Sequence, residues 1–94
     1  MKNNYSTNNN LKKIREKSKL TLQELSNKTG LTMTEIHFLE TDKLDLKNAR
    51  FDTIQKLCDS LQVSVYDLFI DKEYAEKLLT FTKKRYSKKY IAKQ

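Results

Sequence analysis

Apolar residues recur along this chain in short helical stretches, each opened by a polar residue suited to cap a helix. Leu11, Ile14 and Ser18 fall on one helical face, with Lys12, Lys13, Arg15, Lys17 and Lys19 on the remaining surface. This spacing predicts a helix from about Asn10 to Ser18. Further on, Thr21 is followed three residues later by Glu24, and Thr32 by Glu35. In each pair the hydroxyl can accept a first-turn N–H while the carboxylate reaches back to the cap. Leu20 with Leu25, and Leu31 with Ile36, supply the apolar staple that accompanies such a box. A second helix is thus expected from Thr21 to about Thr29, burying Leu22 or Leu25 together with Ser26. A third runs from Thr32 to near Thr41, with Ile36, Leu39 and Met33 as its candidate inward positions. Between them stands Gly30, the only glycine, where the second helix must stop at a backbone position that typically needs positive φ.

Two short helices joined by a tight glycine turn form a helix-turn-helix. Asp42 to Arg50 is then a polar connection that carries Leu44 and Leu46. The stripe Ile54, Leu57, Cys58 and Leu61, with Phe51 near its start, predicts a fourth helix from about Ala49 to Leu61. Ser64 with Asp67, and Val63 with Leu68, repeat the box and staple, so a fifth helix is expected from Val65 to Phe69 or Ile70. Asp71 looks like the cap of a sixth, with Tyr74, Leu78, Phe81 and Tyr86 along one side. Residues 1–10 hold too little apolar surface to order themselves and are expected to be a disordered polar arm. The chain then divides into a helix-turn-helix domain over 11–70 and a C-terminal helix with a basic tail over 71–94.

Composition narrows the class. Ninety-four residues make one small domain with tails, and the absence of proline, the single glycine and a charged third suit an all-helical chain. One cysteine cannot form an internal disulfide, and there is no apolar run of membrane-spanning length, so a cytoplasmic protein is expected and a membrane partner is not. No metal-ligand cluster, glycine-rich phosphate loop or nucleophile–base pair stands out, which argues against an enzyme and against a cofactor. Cys58, on an apolar stripe, reads as core filler, and the lone His37 as a surface polar residue rather than a metal ligand.

Several motifs coincide: Leu11-Lys-Lys-Ile-Arg15, Leu20-Thr21 with Glu24-Leu25, Gly30-Leu31-Thr32, Ile36, Leu39-Glu40, Phe51-Asp-Thr-Ile54, Lys56-Leu-Cys58, and Leu61 with Val63-Ser64 to Asp67-Leu-Phe69. Over Leu11 to Ile70 the chain resembles the Cro/phage-repressor-type (XRE-family) helix-turn-helix domain. The resemblance implies an all-α fold: a five-helix lambda-repressor-like DNA-binding domain, here with an additional C-terminal helix and basic tail. It implies that Arg15 pairs with Glu40, and that helix 3 lies in the major groove of double-stranded DNA. Thr32 would then touch phosphate, Met33 and Thr34 would meet base edges, and His37 or Phe38 would lie further along. Lys43, Lys47 and Arg50 follow helix 3, where such domains approach the backbone, and become candidate phosphate contacts. Two positions depart from the family pattern. Leu22 stands where many relatives carry a phosphate-gripping glutamine, with Gln23 one residue later, and Thr41-Asp42 replaces the common asparagine-glycine.

The net charge of +7 invites a polyanion, but its distribution is uneven. From Leu11 to Ile70 ten basic residues face nine acidic ones, whereas from Lys83 onward there are six basic residues and no acid. That tail reads as a solvated helix end, a set of phosphate contacts, or part of a dimer helix built on Tyr74, Leu78, Phe81 and Tyr86. The leading expectation is a DNA-binding transcriptional regulator of bacterial or phage type, acting on duplex DNA as a homodimer. The rival is a helix-turn-helix fold used as a protein-interaction module, antitoxin-like or anti-repressor-like, with Met33, Phe38 and Leu44 as anchors for a protein partner.

Overall fold

Four helices of this protein begin at a residue whose side chain satisfies an orphan backbone N–H. The computed structural model describes residues 8–86, with side chains as far as residue 80. Its elements are α1 (Leu11–Lys17), α2 (Leu22–Thr29), α3 (Met33–Glu40), a 3-10 turn (Leu46–Asn48), α4 (Phe51–Leu61), α5 (Val65–Leu68) and α6 (Lys72–Tyr86). The fold is all-helical among the described residues, apart from one isolated antiparallel bridge between Asn9 and Phe69. The Thr21–Glu24 and Ser64–Asp67 boxes are complete, with both reciprocal bonds made. The Thr32 box is half made: its hydroxyl accepts the Glu35 N–H at 3.0 Å without the return bond. Asp71 caps α6 by accepting the Tyr74 N–H at 3.1 Å.

Helix ends are set by the left-handed region. Gly30 (φ 82°) closes α2. Lys19 closes α1 at φ 62° and Gln62 closes α4 at φ 58°. After α1 the Leu20 N–H reaches back to Arg15 C=O and the Lys19 N–H to Glu16 C=O, the paired bonds of a Schellman cap. Gln62 and Val63 repeat them on Asp59 and Cys58.

One core gathers the apolar stripes. Leu11, Leu25, Ile36, Leu46, Ile54, Leu57, Leu68 and Phe69 are fully buried, each removing the area of a large apolar side chain from water at a gain of about 1.5–3 kcal/mol. α3 packs on α2 and α1, α4 on α2 and α5, and α6 on α5. Cys58 lies in this core as expected, and burial pushes its thiol up to about 12, which keeps it protonated.

Several expectations need correction. α1 is one residue shorter at each end than Asn10 to Ser18, because Asn10 and Ser18 are its caps. Ser18 faces solvent, and Arg15 occupies the inward position instead. Met33 is not an inward position: it is 42% exposed. α4 begins at Phe51 rather than Ala49, since Leu46–Asn48 form the 3-10 turn and Arg50 is the extended cap. α5 ends at Leu68, because Phe69 leaves the helix to bridge Asn9. On α6, Ala75 and the half-buried Leu79 join Tyr74 and Leu78 against the core, while the side chains of Phe81 and Tyr86 and the tail beyond residue 86 lie outside the described residues.

The expected polar arm also loses its last three residues to the fold. Asn9 is 4% exposed: its amide donates to Leu39 C=O at 3.1 Å and its carbonyl oxygen accepts the Leu11 N–H at 2.9 Å. Asn10 donates its backbone N–H to Leu68 C=O at 2.7 Å and its side-chain amide to Asp67 C=O at 3.0 Å. Asn8 donates to the Asp42 and Asp45 carboxylates at 2.9 and 2.6 Å. Residues 1–7 lie outside the described residues.

Candidate nucleic-acid interface

α3 is held from behind and presented forward. Successive residues step by about 100° around a helix, which places Glu35, Ile36, Leu39 and Glu40 on one side and Met33, Thr34, His37, Phe38 and Thr41 on the other. The first group is buried or half-buried. Of the second, Met33, Thr34, His37 and Thr41 are exposed and Phe38 is half-buried.

The turn that sets this presentation is a network of short bonds around Gly30. Ser26 Oγ donates to Leu31 C=O at 2.6 Å, Thr29 Oγ1 accepts the Leu31 N–H at 3.1 Å and donates to Leu25 C=O at 2.8 Å. Nothing stands within 4 Å of where a Gly30 Cβ would sit, so backbone conformation alone selects glycine there.

The far end of α3 is clamped to α1. Arg15 Nε donates to Glu40 Oε2 at 2.5 Å and Nη2 to Oε1 at 3.2 Å, a two-point contact. Arg15 Nη1 also donates to Leu20 C=O at 2.8 Å. The Glu40 hydrogen bond holds the Arg15 guanidinium above its already high ordinary value, so it stays charged. This pair is the Arg15–Glu40 contact that the family resemblance implied.

The sequence-derived site residues divide. Thr32, Met33, Thr34, His37 and Phe38 come together at the start and along the outward face of α3. The Thr32 hydroxyl accepts the Glu35 N–H and keeps its own hydrogen to donate. Lys43 joins this group: its ammonium sits 5.4 Å from the centroid of the Phe38 ring, and the Phe38 ring is itself 6.3 Å from that of His37. Leu44, 45% exposed, follows, its N–H bonded to Phe38 C=O.

Lys47 is drawn elsewhere. Its ammonium pairs with Asp71 at 2.8 Å and lies 5.3 Å from the centroid of the Tyr74 ring, while its carbonyl accepts the Tyr74 hydroxyl at 2.7 Å. Arg50, highly exposed, pairs with Asp52 at 3.2 Å. Gln23 donates to Asn27 on its own helix at 3.0 Å. Asp42 takes φ 64°, supplying the left-handed residue for which such domains use glycine after α3. Asn8 and Asn9 were missed as structural residues of this region, and no periodic signal marks them.

Among the described residues no three His, Cys, Asp or Glu are grouped to hold a metal ion, and no helix is long and apolar enough to cross a membrane. A capped helix pair, bent at a glycine and offering the second helix outward from a helical core, defines the class of helix-turn-helix DNA-binding domains. Residues 10–73 match the Cro/C1-type HTH DNA-binding domain, and the chain belongs to that family. Comparison with curated proteins and with solved structures returned no significant match.

Proposed function

We propose that this protein is a transcriptional regulator that lays α3 in the major groove of duplex DNA. The observation that carries the reading is the outward face of α3: a capped N-terminus at Thr32, then Met33, Thr34, His37 and Phe38, with Lys43 beside them. Base edges fall to Met33, Thr34, His37 and Phe38, and phosphates to Thr32 and Lys43. Arg50 reaches phosphate by leaving its exposed partner Asp52, an exchange that costs little at the surface. Lys47 reaches it only by giving up both Asp71 and its place over Tyr74. The basic tail from Lys83 adds the main electrostatic term, and two copies bind a roughly palindromic operator in the cytoplasm.

The test is a titration of mixed-sequence duplex DNA over a range of salt concentrations, with the full chain and with a chain lacking Lys83 to Gln94. Engaging about five phosphates gives a log–log slope near −4.5. Removing the tail flattens that slope. A slope near zero, or no retention of duplex in dilute buffer, would falsify the proposal.

A second reading draws on the exposed Met33 and Leu44, which fit a protein partner. Under it, Phe38→Ala loses the partner and leaves DNA retention unchanged.

A further inference from the structure

α3 carries no Arg, Lys, Asn or Gln anywhere in its sequence from Met33 to Glu40. Those four residue types make the two-point pairings that read guanine and adenine in the major groove. On neighbouring elements Arg15 is taken up by Glu40 and Gln23 is bonded to Asn27, while the exposed Arg50, paired with Asp52 beyond the end of α3, is assigned to phosphate rather than to a base edge. What α3 offers outward at its N-terminal end, where a recognition helix meets the bases, is the Met33 thioether chain and the Thr34 methyl and hydroxyl. His37 follows one turn on, with the half-buried Phe38 ring beside it. Of the polar groups, the Thr34 hydroxyl can donate or accept and so suits either kind of base edge, and the His37 ring offers no fixed two-point contact, so neither separates one base pair from another. The apolar groups have a single complementary feature in the major groove, the C5 methyl of thymine.

We propose that this helix selects its site by thymine methyl groups, with Met33 and Thr34 as the specificity-determining residues and Phe38 as the wall behind them. The inference rests on the reading of α3 as the major-groove helix. Lys43, held over the Phe38 ring, contributes charge near the backbone and no base discrimination.

The experiment selects the full chain against a randomised duplex pool and then resynthesises the enriched duplexes with uracil in place of thymine. Uracil keeps every hydrogen-bonding group and removes only the methyl. Burying one methyl is worth about a four-fold change in affinity, so two contacts give about fifteen-fold. The expected result is enrichment of A·T pairs, that loss of affinity on passing to uracil, and an unchanged salt slope. Met33→Ala, at an exposed position where folding is not at stake, brings the thymine-to-uracil ratio down about four-fold. Thr34→Ser, which keeps the hydroxyl, does the same. Equal affinity for the thymine and uracil duplexes overturns the inference while leaving the major-groove reading intact. Enrichment of G·C pairs that disappears in Lys43→Ala also overturns it, by assigning the readout to the lysine. Failure to retain any duplex removes both readings together.

Discussion

Arg15 and Glu40 decide whether α3 stays where α1 can hold it. Their side chains are 10% and 2% exposed, so each charge is largely cut off from water and depends on the other. Removing one partner of such a pair leaves the other charge buried and uncompensated, at a cost of about 3–5 kcal/mol. A domain this small has a core that supplies only about 3–5 kcal/mol of net stability. Glu40→Leu is therefore expected to bring folding to its margin, with folded and unfolded chains both well populated at room temperature. Replacing both partners by apolar residues of similar size, Arg15→Met with Glu40→Leu, removes the desolvation penalty along with the attraction. It should fall within about 1–2 kcal/mol of the parent. The half-buried Leu20 carbonyl, which loses its Arg15 donor in that variant, can turn to water. The assay is urea unfolding followed by far-ultraviolet circular dichroism on the parent, both single variants and the double variant. The coupling energy from the cycle is expected to be about 2 kcal/mol or more. A Glu40→Leu variant that folds with a loss under about 1 kcal/mol would refute the reasoning. So would single effects that simply add.

Further expectations follow from backbone conformation and from the contact between α6 and the 3-10 turn. Gly30→Ala forces φ 82° on a residue with a Cβ and should cost about 1–2 kcal/mol, whereas Gln62→Gly relieves the same strain at φ 58° and should gain about 0.5–1 kcal/mol; thermal midpoints moving in opposite directions check both. Asp71 is held below the usual carboxylate range, first by its hydrogen bond from Lys47 and then by the Tyr74 N–H. A lowered folded-state value means that the unfolded chain binds the proton more readily. The stabilisation is therefore complete above about pH 4 and is lost as pH falls through the folded value. Lys47 is raised by the same bond, so its share is complete below about pH 10 and is lost at higher pH. Amide exchange at the start of α6 should quicken outside that window, and Asp71→Asn should remove the acid limb of the dependence.

The parts of this protein legible in its sequence are those whose partners lie within one helical turn. A capping threonine and the residue three places on meet whatever the rest of the chain does, so Thr21, Thr32 and Ser64 marked the starts of α2, α3 and α5. Gly30 marked the turn because an open left-handed position filters residue type locally. The apolar stripe of α4, and Ile36 with Leu39 on α3, followed from a period of about 3.6, but that period also turned Met33 inward, and the outward residues of α3 came from the family resemblance. The Arg15–Glu40 clamp was legible only through family resemblance, since a span of 25 residues carries no periodic signal. Asn9, Lys47 and Ala75 were decided by tertiary structure alone. A buried asparagine on the Leu39 carbonyl, a lysine turned to Asp71 rather than to an open surface, and a small residue sealed under α6 depend on which distant elements meet. Hydrogen-bonding capacity and charge state what a side chain needs. The packed core decides which neighbour supplies it, because only there are residues thirty or more positions apart brought within bonding distance.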